Sequence, residues 1–133
     1  MAKSRALPTL GLVDAGLPVV VLSANSEASA LVAAALAQEP GICLAALTPH
    51  LADLADVCAL HTPSVLIVCT TSGPDHGPVI AEICARDCQS VRGIVILAIA
   101  NLKERPDLAS LPHLLRHIGR RSAAGSPQVA YYF

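Results

Sequence analysis

Four short apolar runs, each followed by a stretch with helical spacing, constrain this chain more than anything else in it. They are "LPVVVLSA" (17–24), "ICLAAL" (42–47), "SVLIVC" (64–69) and "GIVILAI" (93–99). Continuous apolar runs of this length read as strands buried on both faces. Between them, "SEASALVAAALAQ" (26–38) reads as a helix capped by Asn25 or Ser26, with Glu27 favoured in its first turn. "PHLADLADVCALH" (49–61) puts Leu51, Leu54, Val57 and Cys58 on one helical face, and "PVIAEICARDC" (78–88) turns Val79, Ile80, Ile83 and Cys84 inward. After the fourth run, "NLKERPDLASLPHLLRHIGRR" is helical in part, with Asp107 as a cap, Pro112 as a kink or second start and Gly119 as a stop. "QVAYYF" reads as a fifth strand or an ordered tail. Such alternation predicts right-handed crossovers and a parallel sheet covered on both sides. The expected architecture is a flavodoxin-like, doubly wound α/β sheet of order 2-1-3-4-5, with ligands at the carboxyl ends of strands 1 and 3. Residues 1–16 read as a leading arm and 17–133 as one domain.

Phe133, Tyr131 and Tyr132 are the only aromatic residues, so the core must be built from Ala, Val, Leu and Ile. With 14% of residues charged, the chain is too apolar for general disorder. Charge is split along the chain. Residues 6–85 hold seven acids and no Lys or Arg, whereas Arg86 to Arg121 holds seven bases against three acids. That division suits a complementary self-contact or a charged partner. The five cysteines include no paired C-x-x-C spacing, and Cys43, Cys58, Cys69 and Cys84 lie in apolar runs, so a reduced, cytoplasmic protein is expected. Lys3 and Arg5 before an apolar stretch imitate a signal peptide, but Asp14, Pro8, Gly11, Gly16 and Pro18 interrupt it. No segment reads as a membrane span.

Three sharper readings compete with plain packing. Cys69, at a strand end before "TTSG", has the position of a nucleophile with His76 as its base, yet no Lys or Arg lies nearby in sequence to lower its pKa, and a buried thiol is the expectation. His113 and His117 are four apart on a helix but lack the third ligand of a metal site, so no metal and no cofactor is expected. Arg116, Arg120 and Arg121 share that segment without the aromatic context of a nucleic-acid surface.

From Val19 to Ile99, about 80 residues, the order of strands, helices and breakers resembles response-regulator receiver domains, closest to those of helix-turn-helix regulators. "VVVLSANSEASALVAAALAQEPGICLAAL" resembles their first strand, helix, "EP" break and second strand. "HTPSVLIVCTTSGPDHG" resembles their third strand and the loop after it, with Pro63 and Gly77 in place. The chemistry-bearing residues differ. The resemblance implies an acidic pair after strand 1, where Ser23 and Ala24 stand, and a phosphoacceptor aspartate where Cys69 stands. It implies a hydroxyl residue where Ala98 stands, and a lysine after strand 5 for which there is no candidate. The resemblance implies that these carboxylates hold Mg²⁺, a hard cation that needs oxygen ligands, and phosphoryl transfer to the aspartate needs that cation.

The expectation is therefore a degenerate, non-catalytic pseudo-receiver in a bacterial-type signalling or regulatory system. It would act through a protein partner or a second copy of itself, with no membrane contact. The output would be a DNA-binding domain outside this chain, through which alone nucleic acid would be bound, or, as in pilus-assembly proteins with atypical receivers, a localisation ATPase. Lys103, Arg105, His113, Arg116, Arg120, Tyr131 and Tyr132 form the expected interface. The alternative is a small-ligand module holding an anion or nucleotide with Ser23, Asn25, Cys69, Thr70, Thr71 and Ser72. No fifth helix is legible after "QVAYYF", so either the chain is a fragment or a partner covers that edge.

Overall fold

The computed structural model describes residues 17–37, 39, 41–71, 74–98, 111–121 and 127–132. Five strands, β1 (Leu17–Leu22), β2 (Ile42–Thr48), β3 (Val65–Thr70), β4 (Gly93–Ala98) and β5 (Gln128–Tyr132), pair in parallel in the order β2-β1-β3-β4-β5. Among the described residues four α-helices are interspersed: α1 (Ser26–Ala37), α2 (Leu54–His61), α3 (Gly77–Asp87) and α4 (Leu111–Arg121). The expected sheet order and the fifth strand are both present.

The central strands are buried on both faces, and their residues divide by parity. Val19, Val21, Val65, Ile67, Cys69, Val95 and Leu97 face one layer with Ala28, Val32, Leu36, Leu111 and Leu115. Val20, Leu22, Leu66, Val68, Ile94 and Ile96 face the other with Leu54, Cys58, Ala81, Cys84 and Cys88. Period-two alternation along a strand dictates this division. Both layers are aliphatic, as the shortage of aromatic residues requires.

Several local expectations are corrected. The first strand stops at Leu22, because the Ser23 hydroxyl bonds to the backbone of Asn25 and turns the chain. Leu51 falls in a single 3-10 turn (Leu51–Asp53) ahead of α2 and is exposed. Helix α3 is rotated from the expected face. It buries Gly77, Ala81 and Cys84, with Cys88 following, whereas Val79 is 55% exposed. Residues 77, 81, 84 and 88 form one helical stripe of small side chains, which brings the helix close to the sheet. Gly119 does not end α4, which continues to Arg121, and Pro112 marks its start.

The final crossover also differs. Helices α2 and α3 cover one face, and right-handed connection would put α4 beside them. Instead α4 packs on the α1 face, with Leu111 and Leu115 in the layer of Val32 and Leu36. There it covers Val95 and Leu97, on the same face as the small residues of α1.

The expectation of a fully reduced chain is overturned as well. Cys58 and Cys88 form a disulfide across a sequence separation of 30, with their Cα atoms 5.4 Å apart. No spacing motif signals such a pair, because the fold alone brings the end of α2 to the residue after α3. Cys69 and Cys84 are buried thiols, and Cys43, expected to be packed, is exposed on the edge strand β2.

Candidate functional site

The carboxyl ends of β1 and β3 lie side by side, with Leu22 paired to Val68, so the residues that follow, Ser23 and Cys69, are neighbours. Ser23 is buried, and its hydroxyl donates to the Asn25 carbonyl (3.1 Å) while accepting the Asn25 N–H (3.2 Å). Asn25 caps α1 by accepting the Ala28 N–H at Oδ1 (2.9 Å), as its sequence position predicts. Thr48, at the end of β2, is also buried and donates to the His50 carbonyl (3.4 Å). The polar atoms at this edge are thus engaged in holding the turns that end the strands.

Cys69 is 6% exposed. Burial pushes its thiol up to about 11, against an ordinary value of 9.0, and a hydrogen bond with the Ser23 side chain only partly offsets the rise. A thiolate costs free energy in an apolar layer, so the neutral thiol prevails at neutral pH. Burial and the raised pKa both weigh against Cys69 as a nucleophile.

Of the other expected site residues, Ala24 and Thr71 are exposed, Thr70 and Ala98 are half-buried, and Ser72 lies outside the described residues. Among the expected interface residues, Lys103 and Arg105 lie outside the described residues. The side chains of Arg116, Arg120 and Tyr132 are likewise outside the description, whereas His113 and Tyr131 are exposed. Among the described residues, no group of three or more His, Cys, Asp or Glu converges as a metal site, and no helix is long and apolar enough to cross a membrane.

A groove of about 270 Å³ opens between α2 and the end of α3, lined by Ala55, Cys58, Ala59, Thr62, Arg86, Asp87, Gln89 and Ser90. It was not foreseen, because its lining comes from two segments that only the fold brings together. Thr62, which caps α2, has a positive φ of 41°, the left-handed region that a β-branched residue avoids. Its N–H donates to the Cys58 carbonyl (2.7 Å), and the Ser90 hydroxyl donates to the Pro63 carbonyl (2.8 Å).

No family model matches the sequence, and no curated protein matches it. Solved structures do share the fold. The isolated receiver domain of RcsB from Salmonella enterica serovar Typhimurium aligns with a TM-score of 0.53 at 16% identity, over 76% of this chain and 72% of that one. The signal receiver domain of NarL from Mycobacterium tuberculosis gives 0.53 at 13% identity, over 88% and 83%. The pilus assembly protein CpaE from Caulobacter crescentus CB15 gives 0.50 at 18% identity, over 86% and 81%. With its parallel sheet in the order 2-1-3-4-5, this chain has the fold of a response-regulator receiver domain, with Ser23 and Cys69 at the ends of its first and third strands.

Proposed function

We propose that this receiver-like domain, residues 17–133, works without phosphorylation, as a non-catalytic module that binds a protein partner or a second copy of itself. The observation that carries the reading is the pair at the strand ends. Ser23 and Cys69 occupy the places where the receiver resemblance implies carboxylates, and both are buried. A protonated thiol beside a hydroxyl already bonded to the backbone supplies no anionic oxygen to a hard dication. Ala24 and Ala98 stand at the remaining positions of the degenerate phosphorylation site. Lost chemistry leaves surface recognition as the retained property of the fold, and exposed His113 and Tyr131 belong to the proposed contact region with Lys103, Arg105, Arg116, Arg120 and Tyr132. The reading places the domain in a cytoplasm, as part of a bacterial signalling or transcriptional system, with nucleic acid reached only through a separate output domain.

The test is intact-mass spectrometry of the chain after incubation with acetyl phosphate and Mg²⁺, with sizing of the same sample. An unchanged mass with a dimer or larger species is expected. A stoichiometric phosphate adduct refutes the loss of phosphorylation, and an unmodified monomer refutes the self-association arm while leaving a different protein as partner.

A further inference from the structure

Helices α2 and α3 pack side by side over one face of the sheet, and their outward sides share one chemistry. Helix α2 and the turn before it expose Asp53 and Asp56, with Leu51 43% and Leu60 77% exposed. Helix α3 and the 3-10 turn before it (Pro74–His76) expose Asp75 and Glu82, with Val79 between them 55% exposed. Helical spacing puts positions 56 and 60 on one outer stripe of α2, and 79, 82 and 86 on one of α3. None of the four carboxylates makes an ion pair among the described residues. Arg86, a cation on these stripes, sits in the last turn of α3 and pairs with the adjacent Asp87 at 3.8 Å. Like charges around exposed apolar side chains repel one another and leave apolar area in water. A basic, partly apolar counter-surface relieves both.

The chain itself carries such a counter-surface. Helix α4, "LPHLLRHIGRR", holds three arginines, two histidines and no acid. Its inner residues Leu111 and Leu115 are buried in the α1 layer, whereas His113 and His117 are exposed. We propose that α4 of one copy docks along the α2–α3 face of a second copy. The arginines of α4 supply the charge opposite to Asp53, Asp56, Asp75 and Glu82, and Leu51 and Val79 are covered. Lengths agree, since α3 and α4 have 11 residues each, about 16 Å of helix. Because α4 lies on the α1 side of the sheet and α2 and α3 on the other, the contact is head-to-tail. Each docked copy leaves one charged face open, so copies add in a row or close into a ring. The proposal rests on the self-association arm of the preceding reading and is independent of the loss of phosphorylation.

Sedimentation of the full chain over a range of concentrations reads the assembly. Dimers and larger species are expected at low salt, with association at least about ten-fold weaker in about 1 M salt, where the screening length is about 3 Å. Asp56→Lys with Glu82→Lys reverses the acidic face, and Arg116→Glu with Arg120→Glu reverses α4. Each of these two variants should be monomeric alone. Mixed, they should form a one-to-one complex that grows no further, because the first keeps a basic α4 and the second keeps an acidic face. Assembly unchanged by salt and by both reversals would overturn this contact while leaving self-association through another surface. A wild type monomeric at every concentration would overturn it together with the self-association arm. Two folded variants that stay apart on mixing would overturn it too. If the α4 variant fails to fold, the acidic-face variant mixed with wild type decides. It should cap growing assemblies and lower their mean size, and an unchanged size overturns the proposal.

Discussion

Thr62 sits in the left-handed region at the end of α2, at a position where glycine is the usual residue. A left-handed conformation costs a branched residue about 1–2 kcal/mol, and glycine loses about 0.5–1 kcal/mol of that advantage through unfolded-state entropy. Thr62→Gly should therefore stabilise the chain by about 0.5–1 kcal/mol, read as a higher midpoint in urea with an unchanged slope. A lower midpoint would mean that the threonine side chain contributes something at the groove beyond its strain. At Cys69 the consequence is a pH dependence. Its folded pKa of about 11 lies above the ordinary 9.0, so the unfolded chain ionises first. Stability should be level below pH 9 and fall as the pH rises towards 11, by on the order of 2 kcal/mol from this group. Cys84 adds a fall in the same direction. Chemical denaturation of the wild type and of Cys69→Ala at pH 8, 9, 10 and 11 checks this. The difference between the two should narrow as the pH rises, and a constant difference would refute it.

At the level of elements, Asn25, the alternation of the strands and the β-branched runs were all legible, because cap and strand signals are local. The face of α3 was legible only in part. Sequence spacing turns Val79, Ile80, Ile83 and Cys84 inward; Cys84 is buried as expected and Ile80 packs against the layer, but Val79 is exposed and Ala81 and Cys88 complete the buried stripe. Helix α4 is the larger case. Its placement against α1 depends on Leu111 and Leu115, both buried, closing the layer over Val95 and Leu97. Leu115→Ala should cost about 2–4 kcal/mol, the range for a fully buried leucine. It should also speed amide exchange in α1 and α4 more than in α2 and α3. Uniform acceleration, or protection lost first in α3, would contradict the two-layer description.

For the whole molecule, the disulfide joins the α2 and α3 segments through a closed stretch with a separation of 30 residues. Chain-entropy reasoning assigns such a loop about 3–4 kcal/mol of stabilisation, a large fraction of what a domain of this size possesses. Complete reduction should lower the unfolding free energy by that amount, measured by urea denaturation with and without a strong dithiol reductant. A change below about 1 kcal/mol would mean that the reduced chain packs the α2–α3 layer without covalent help. The strand-end site is a property of the whole molecule too. Ser23 and Cys69 are distant in sequence, and only the pairing of β1 with β3 makes them neighbours.

The sequence by itself determined the strands, their alternation with helices, the sheet order and the absence of carboxylates at two strand ends. Those features depend on local periodicity and on residue identity, which the chain carries openly. The tertiary structure alone decided that Cys58 meets Cys88, that α4 lies over α1, that α3 presents its small residues and that Thr62 lines a groove. Each depends on which surfaces come into contact after the chain has folded. Contact across long separations is set by packing of the whole sheet, which no short window of sequence contains.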